Sequence, residues 1–124
     1  MASDYRATPG RDVALTFLVV MDPQPTSPGV KATRRINFGD GTILEQGLYV
    51  EWNYNIVEDA TQLSQILTPL GLMSAASAEV TIYTRNQLYQ YRRYNGTAIR
   101  PEANWDNFFA RNITIMIRNL VIAP

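Results

Sequence analysis

The chain has 124 residues, 46% hydrophobic and 18% charged, with eleven basic residues balanced by eleven acidic ones. That length fits one domain able to bury about two thirds of the surface exposed by its unfolded form, and the composition excludes the disordered, collagen-like and membrane-spanning classes. The absence of cysteine and histidine removes disulfides, thiol nucleophiles, the usual metal ligands and the side chain that titrates near neutrality, and a formal net charge of zero lacks the basic excess behind most affinity for nucleic acid.

Residues 1–12 read as an N-terminal arm before a single β-rich domain over 13–124. The arm is polar and carries Pro9-Gly10, with no periodicity that would seat it on a core. An arm of this composition frays unless it is pinned, either against a neighbouring chain or against its own domain. No apolar stretch in Met1 to Gly10 marks a secretory signal, so synthesis in the cytoplasm is expected. Val13 to Met21 is rich in β-branched and aromatic residues and reads as a strand covered on both faces. It is far shorter than the roughly 20 residues of a membrane helix, and no membrane partner is expected.

Asp22 to Gly29 contains Pro23, Pro25 and Pro28, which forbid helix and sheet ladder alike; it reads as a stiff projecting loop that either connects strands or reaches a neighbour. Arg34 to Phe38 and Thr42 to Leu44 flank Gly39-Asp40-Gly41, a hairpin turn. Beyond Gly47, the residues Leu48, Val50, Trp52, Tyr54 and Ile56 alternate with polar ones, placing one face of a strand on the core.

Leu63, Ile66, Leu67 and Leu70 then follow helical spacing after the acidic residues Glu58 and Asp59, and Pro69 and Gly71 end the helix. Glu79 to Thr84 predicts a strand. Gln87 to Tyr94 and Thr97 to Arg100 flank Asn95-Gly96, which predicts a two-residue hairpin. Trp105, Phe108 and Phe109 fall in an otherwise polar loop, and Arg111 to Ile122 reads as a long closing strand with Ile113, Ile115 and Ile117 on one side. The expected fold is mainly β, an antiparallel sheet or sandwich of about six or seven strands with one short helix against an open face.

The carboxylates offer no marked catalytic pair. Asp40 reads as a turn residue, Glu58 or Asp59 as a helix cap and Glu51 as the exposed face of a strand. With no phosphate-cradling glycine loop and no nucleophile elbow, the sequence predicts no enzymatic activity, cofactor or metal. Ten of the eleven basic residues are arginine, whose planar fork suits protein interfaces; compositional bias is the plainer reading. The predicted second hairpin interleaves Tyr89, Tyr91, Arg92, Arg93, Tyr94 and Arg100, a pattern shared by single-strand nucleic-acid sites and protein hot spots. Neutral net charge favours protein. Together with Tyr5, Arg6 and Arg11 of the arm and the three loop prolines, these residues form the expected protein interface.

Phe38-Gly39-Asp40-Gly41, with Gln46 shortly after and the strand Tyr49 to Val57 leading into the helix, resembles the Phe-Gly-Asp-Gly turn of minor tail proteins of tailed bacteriophages. The likeness covers about a quarter of the chain, which lacks the family's aromatic after the second glycine. The small size, the arm, the proline-rich segment and the β-rich body are similar in type to virion proteins that cement a capsid or build a tail. The resemblance implies a homo-oligomeric structural protein of a virion with other virion proteins, such as major capsid or tail subunits, as partners. Capsid cement stands slightly ahead of a tail, tail-tube or neck component, and a cellular binding module is the contrasting class.

Overall fold

The alternation beyond Gly47 sets the frame of the molecule. In the computed structural model, which describes residues 4–22, 24–57, 60–101, 104–106 and 109–123, Val50, Trp52 and Tyr54 are buried, as the pattern requires. They lie on one long strand, β4 (Ile43–Val57). The other described strands are β1 (Arg6–Pro9), β2 (Val19–Val20), β3 (Lys31–Asn37), β5 (Ser77–Arg85), β6 (Tyr91–Ile99), β7 (Asn104–Asp106) and β8 (Phe109–Ile122), and among the described residues one α-helix, α1, spans Ala60–Leu67. The described strands number eight, where six or seven were expected, and they form one open antiparallel sheet and not a sandwich. Its order is β2-β1-β5-β6-β8-β4-β3, with β7 also paired to β8.

The sheet curls strongly. Three strands separate β1 from β4, a span of about 19 Å in a flat sheet, yet the rings of Tyr5 and Trp52 meet edge to face at 5.6 Å. The segment after β2 crosses the mouth of the curl: Met21 N–H donates to Tyr5 O at 2.9 Å, and Thr26 exchanges backbone hydrogen bonds of 2.8 and 3.0 Å with Asn53. The concave face holds the core, with Trp52, Ile82, Ile113, Ile115 and Ile117 fully buried and Ile66 and Leu70 contributed from the helical side.

Local chemistry accounts for the elements that match the sequence. Phe38 and Thr42 close a three-residue loop, Gly41 takes φ +89°, and the Asp40 carboxylate accepts the Thr42 N–H at 2.9 Å. Helix α1 passes into a 3-10 turn (Thr68–Leu70) that carries Pro69, and Gly71 at φ +67° ends it. β5 and β8 lie where strands were predicted. Glu58, Asp59, Phe108 and Pro23 lie outside the described residues.

Several expectations are corrected. Val13 to Met21 is not a strand buried on both faces; it is a 3-10 turn (Leu15–Phe17) followed by the two-residue β2, with Phe17 73% exposed. Side chains of β5 and β6 hold its start as a loop: the Thr81 hydroxyl accepts the Val13 N–H at 3.3 Å and Arg93 donates to Val13 O at 2.6 Å. The proline segment does not project. Pro25 is buried, and the Gln24 amide accepts from Tyr5 N–H (2.7 Å) and donates to Tyr5 O (3.0 Å).

Asn95-Gly96 is no turn, because β6 continues through it, with a register shift against β8 at this point. The hairpin lies earlier, at Asn86 to Gln90, where Asn86 Oδ1 accepts the N–H groups of Leu88 (2.8 Å) and Gln90 (3.1 Å) and Tyr89 takes φ +60°. Trp105 and Phe109 belong to the backbone of β7 and β8 and not to a loop. The arm is seated in the sheet: β1 pairs with β5 from Arg6↔Tyr83 to Pro9↔Val80 and with β2 on its other side, burying Tyr5 and Ala7.

Candidate assembly surface

β4 is longer than the sheet needs. Its pairing with β8 covers only Val50 to Val57, so among the described residues Ile43 to Tyr49 pair with β3 alone. Among the described residues β3 in turn pairs only with β4. The result is a two-stranded ribbon, tipped by Phe38 to Thr42, that leaves the body of the sheet. Gly47 marks the exit, with φ +66° and a backbone so close to Thr33 that a Cβ would fall on the Thr33 hydroxyl.

Strand alternation divides the ribbon into two faces. Ala32, Arg34 and Ile36 stand opposite Leu48, Gln46 and Leu44, in phase with the buried Val50, Trp52 and Tyr54. The core's apolar row therefore extends onto the ribbon, is broken at the exposed pair Arg34 and Gln46, and resumes at Ile36 and Leu44. Cover thins as it goes: Leu48, Ala32 and Ile36 are half-buried, whereas Leu44 is 42% and Phe38 45% exposed. The reverse face carries Lys31, Thr33, Arg35 and Asn37, with Ile43 exposed near the tip. An isolated two-stranded ribbon is marginal in water, and a large apolar stripe left open is characteristic of a surface that meets a partner.

A second apolar surface lies between β2 and the helix. Pro9, Val19, Val20 and Pro69 line an open groove of about 610 Å³ together with Asp22, Ser64, Gln65 and Thr68. Val19 and Val20 are exposed because β2 is a short edge strand, with β1 on its inner side.

The residues expected at the interface are not gathered into one patch. Tyr5 is in the core, its ring 5.4 Å from that of Tyr91, and Tyr91 stacks at 5.7 Å on Tyr83; burial raises the Tyr91 hydroxyl above its ordinary pKa. Tyr94 is buried and shifted upward for the same reason, with Arg92 opposing. Arg6 pairs with Asp4 at 2.7 Å, Arg11 stands exposed 3.7 Å from Glu79, and Arg93 is tied to Val13 O. Pro25 is buried and Pro28 exposed. Arg92 and Arg100 are exposed, but Arg100 follows the far end of β6, where its N–H donates to Ala76 O at 2.9 Å. Tyr89 alone presents a large free ring, 80% exposed in the turn, with the Arg85 guanidinium 4.5 Å from its centroid.

Phe38, Ile43, Leu44, Val19 and Val20 went unread as surface residues. The signal for the first three was present: the alternation that identifies β4 extends back through Leu44, past the point where the rest of the sheet can cover it. No protein-family model, curated protein or solved structure matches the chain.

Proposed function

We propose that this protein is a non-enzymatic structural subunit of a tailed-phage virion, binding neighbouring subunits through the β3–β4 ribbon. One observation carries the reading: the Phe-Gly-Asp-Gly turn that resembles minor tail proteins is the tip of a ribbon that pairs with no other described strand and ends in the exposed apolar residues Phe38, Ile43 and Leu44. Such a ribbon places an apolar anchor on a neighbour, with cationic residues beside it to fix orientation. The partners are other virion proteins, major capsid or tail subunits. A capsid cement protein uses the ribbon to bridge capsomers; a tail or neck component uses it to link successive subunits, and the position of the turn supports this second location.

The test is binding of the purified chain to preformed capsids, read as a rise in capsid melting temperature, and to tail-only particles, read by co-sedimentation. Binding to one of the two, lost in Phe38→Asp/Leu44→Asp, is the expected outcome. Binding to neither overturns the reading.

A further inference from the structure

The apolar stripe of the ribbon and the groove beside α1 are complementary in chemistry and lie toward opposite ends of the molecule. β4 runs from the ribbon tip at Ile43 to Val57 before the chain enters α1, a length of roughly 45 Å. Pro9, which lines the groove, packs at the helical end, close to Gly71. The ribbon leaves from the other end, where Lys31, Ala32 and Arg35 adjoin Gln87 of the β5–β6 turn.

The stripe offers Phe38, Ile36 and Leu44 with one cation, Arg34, in the same row. The groove offers Pro9, Val19, Val20 and Pro69 with one anion, Asp22. We infer that the ribbon of one copy docks into the groove of a second copy, joining subunits head to tail. This rests on the proposed role as an assembly subunit and specifies the partner as the same chain.

One feature favours this pairing over a ribbon meeting its own kind, and a second permits association between copies at all. Antiparallel pairing of β3 with a second β3 centred on Arg34 sets Arg34 opposite Arg34, and registers slipped to either side set Lys31 or Arg34 opposite Arg35; like charges directly opposite one another destabilise a sheet. A formal net charge of zero leaves no overall repulsion between copies. A contact between two different surfaces of one chain is heterologous, and it closes into a ring or propagates as a filament.

Mass measured by light scattering across a concentration series tests the inference in the full chain. Wild type is expected to associate beyond the monomer, and Phe38→Asp and Val20→Asp, each at an exposed position, each to weaken association about tenfold or more. An equimolar mixture of the two variants retains one intact ribbon and one intact groove, so it should form dimers and nothing larger. A symmetric ribbon-to-ribbon contact predicts no such rescue.

Because the chain has no native cysteine, oxidation of Phe38→Cys mixed with Val20→Cys gives an independent readout: a disulfide-linked dimer in the mixture and none in either alone. Rescue and cross-link support the inference. Association unaffected by Val20→Asp, or absence of the mixed cross-link, overturns it. A wild-type chain that stays monomeric yet binds capsids or tails through Phe38 also overturns it while leaving the proposed function standing.

Discussion

The indole Nε1–H of Trp52 donates a 3.1 Å hydrogen bond to the hydroxyl of Thr84, wholly inside the core, and so ties β4 to β5 across the concave face of the sheet. Thr84→Val keeps the shape of the side chain and removes the acceptor, leaving a buried N–H without a partner. Loss of about 1–3 kcal/mol is expected. Urea unfolding followed by tryptophan fluorescence should show a lower midpoint at unchanged slope, since the folded surface does not change.

Gly96 predicts a different failure. Its φ is ordinary, but a Cβ at this position would meet Leu120 Cδ2 at 2.7 Å and the Arg118 carbonyl at 2.9 Å, where β6 and β8 change register. Gly96→Ala must displace backbone as well as side chain, at a cost of about 1–3 kcal/mol. Equilibrium unfolding of Gly96→Ala measures that cost directly.

That pair also explains where the sequence misleads. Asn-Gly is a strong local hairpin signal, yet the Asn95 amide is used at long range: its Oδ1 accepts from Asp12 N–H (2.8 Å) and Thr81 (3.1 Å), and its Nδ2 donates to Asp12 (2.6 Å). Partners 83 and 14 residues away leave no local trace. β4, β8, α1 and the Gly39-Asp40-Gly41 turn were legible because periodicity and turn chemistry are local. The seat of Tyr5 against Trp52 and the docking of the proline segment across the curl were not, since each depends on how far the sheet bends. The ribbon was half legible: its turn and strands could be read, but its emergence from the sheet requires knowing that β8 begins pairing only at Val50.

Acid should loosen the ribbon tip before the body. The hydrogen bonds that Asp40 receives from the Thr42 side chain, and then from its backbone, hold the carboxyl below the ordinary value of 3.8. A depressed folded-state pKa means the contribution is complete above the unfolded value and is lost as pH falls through the folded one. The Thr42 amide resonance should therefore titrate with a midpoint below 3.8, and Asp40→Asn should abolish that titration. The global melting transition should not follow it, because residues 38–42 of the tip are exposed.

The N-terminal segment should behave as core, with one exposed exception. Tyr5 packs edge to face on both Trp52 and Tyr91, and Ala7 is fully buried on β1 between β2 and β5. Tyr5→Ala removes a ring from the centre of the curl, and about 3–5 kcal/mol of stability should go with it, a large share of the roughly 5–15 kcal/mol available to a small domain. Arg11→Ala, at an exposed side chain whose 3.7 Å contact with Glu79 is also exposed, should change stability by about 0.5 kcal/mol or less. Hydrogen exchange on the dilute monomer provides the matching local readout. Amides of β1 bonded to β5 should exchange at the slow rate of the central strands, because the register from Arg6↔Tyr83 to Pro9↔Val80 is satisfied within one chain. Fast exchange of Arg6 to Thr8 in the monomer would mean that β1 is not seated in the sheet without a neighbour, and Tyr5→Ala would then leave the unfolding midpoint almost unmoved.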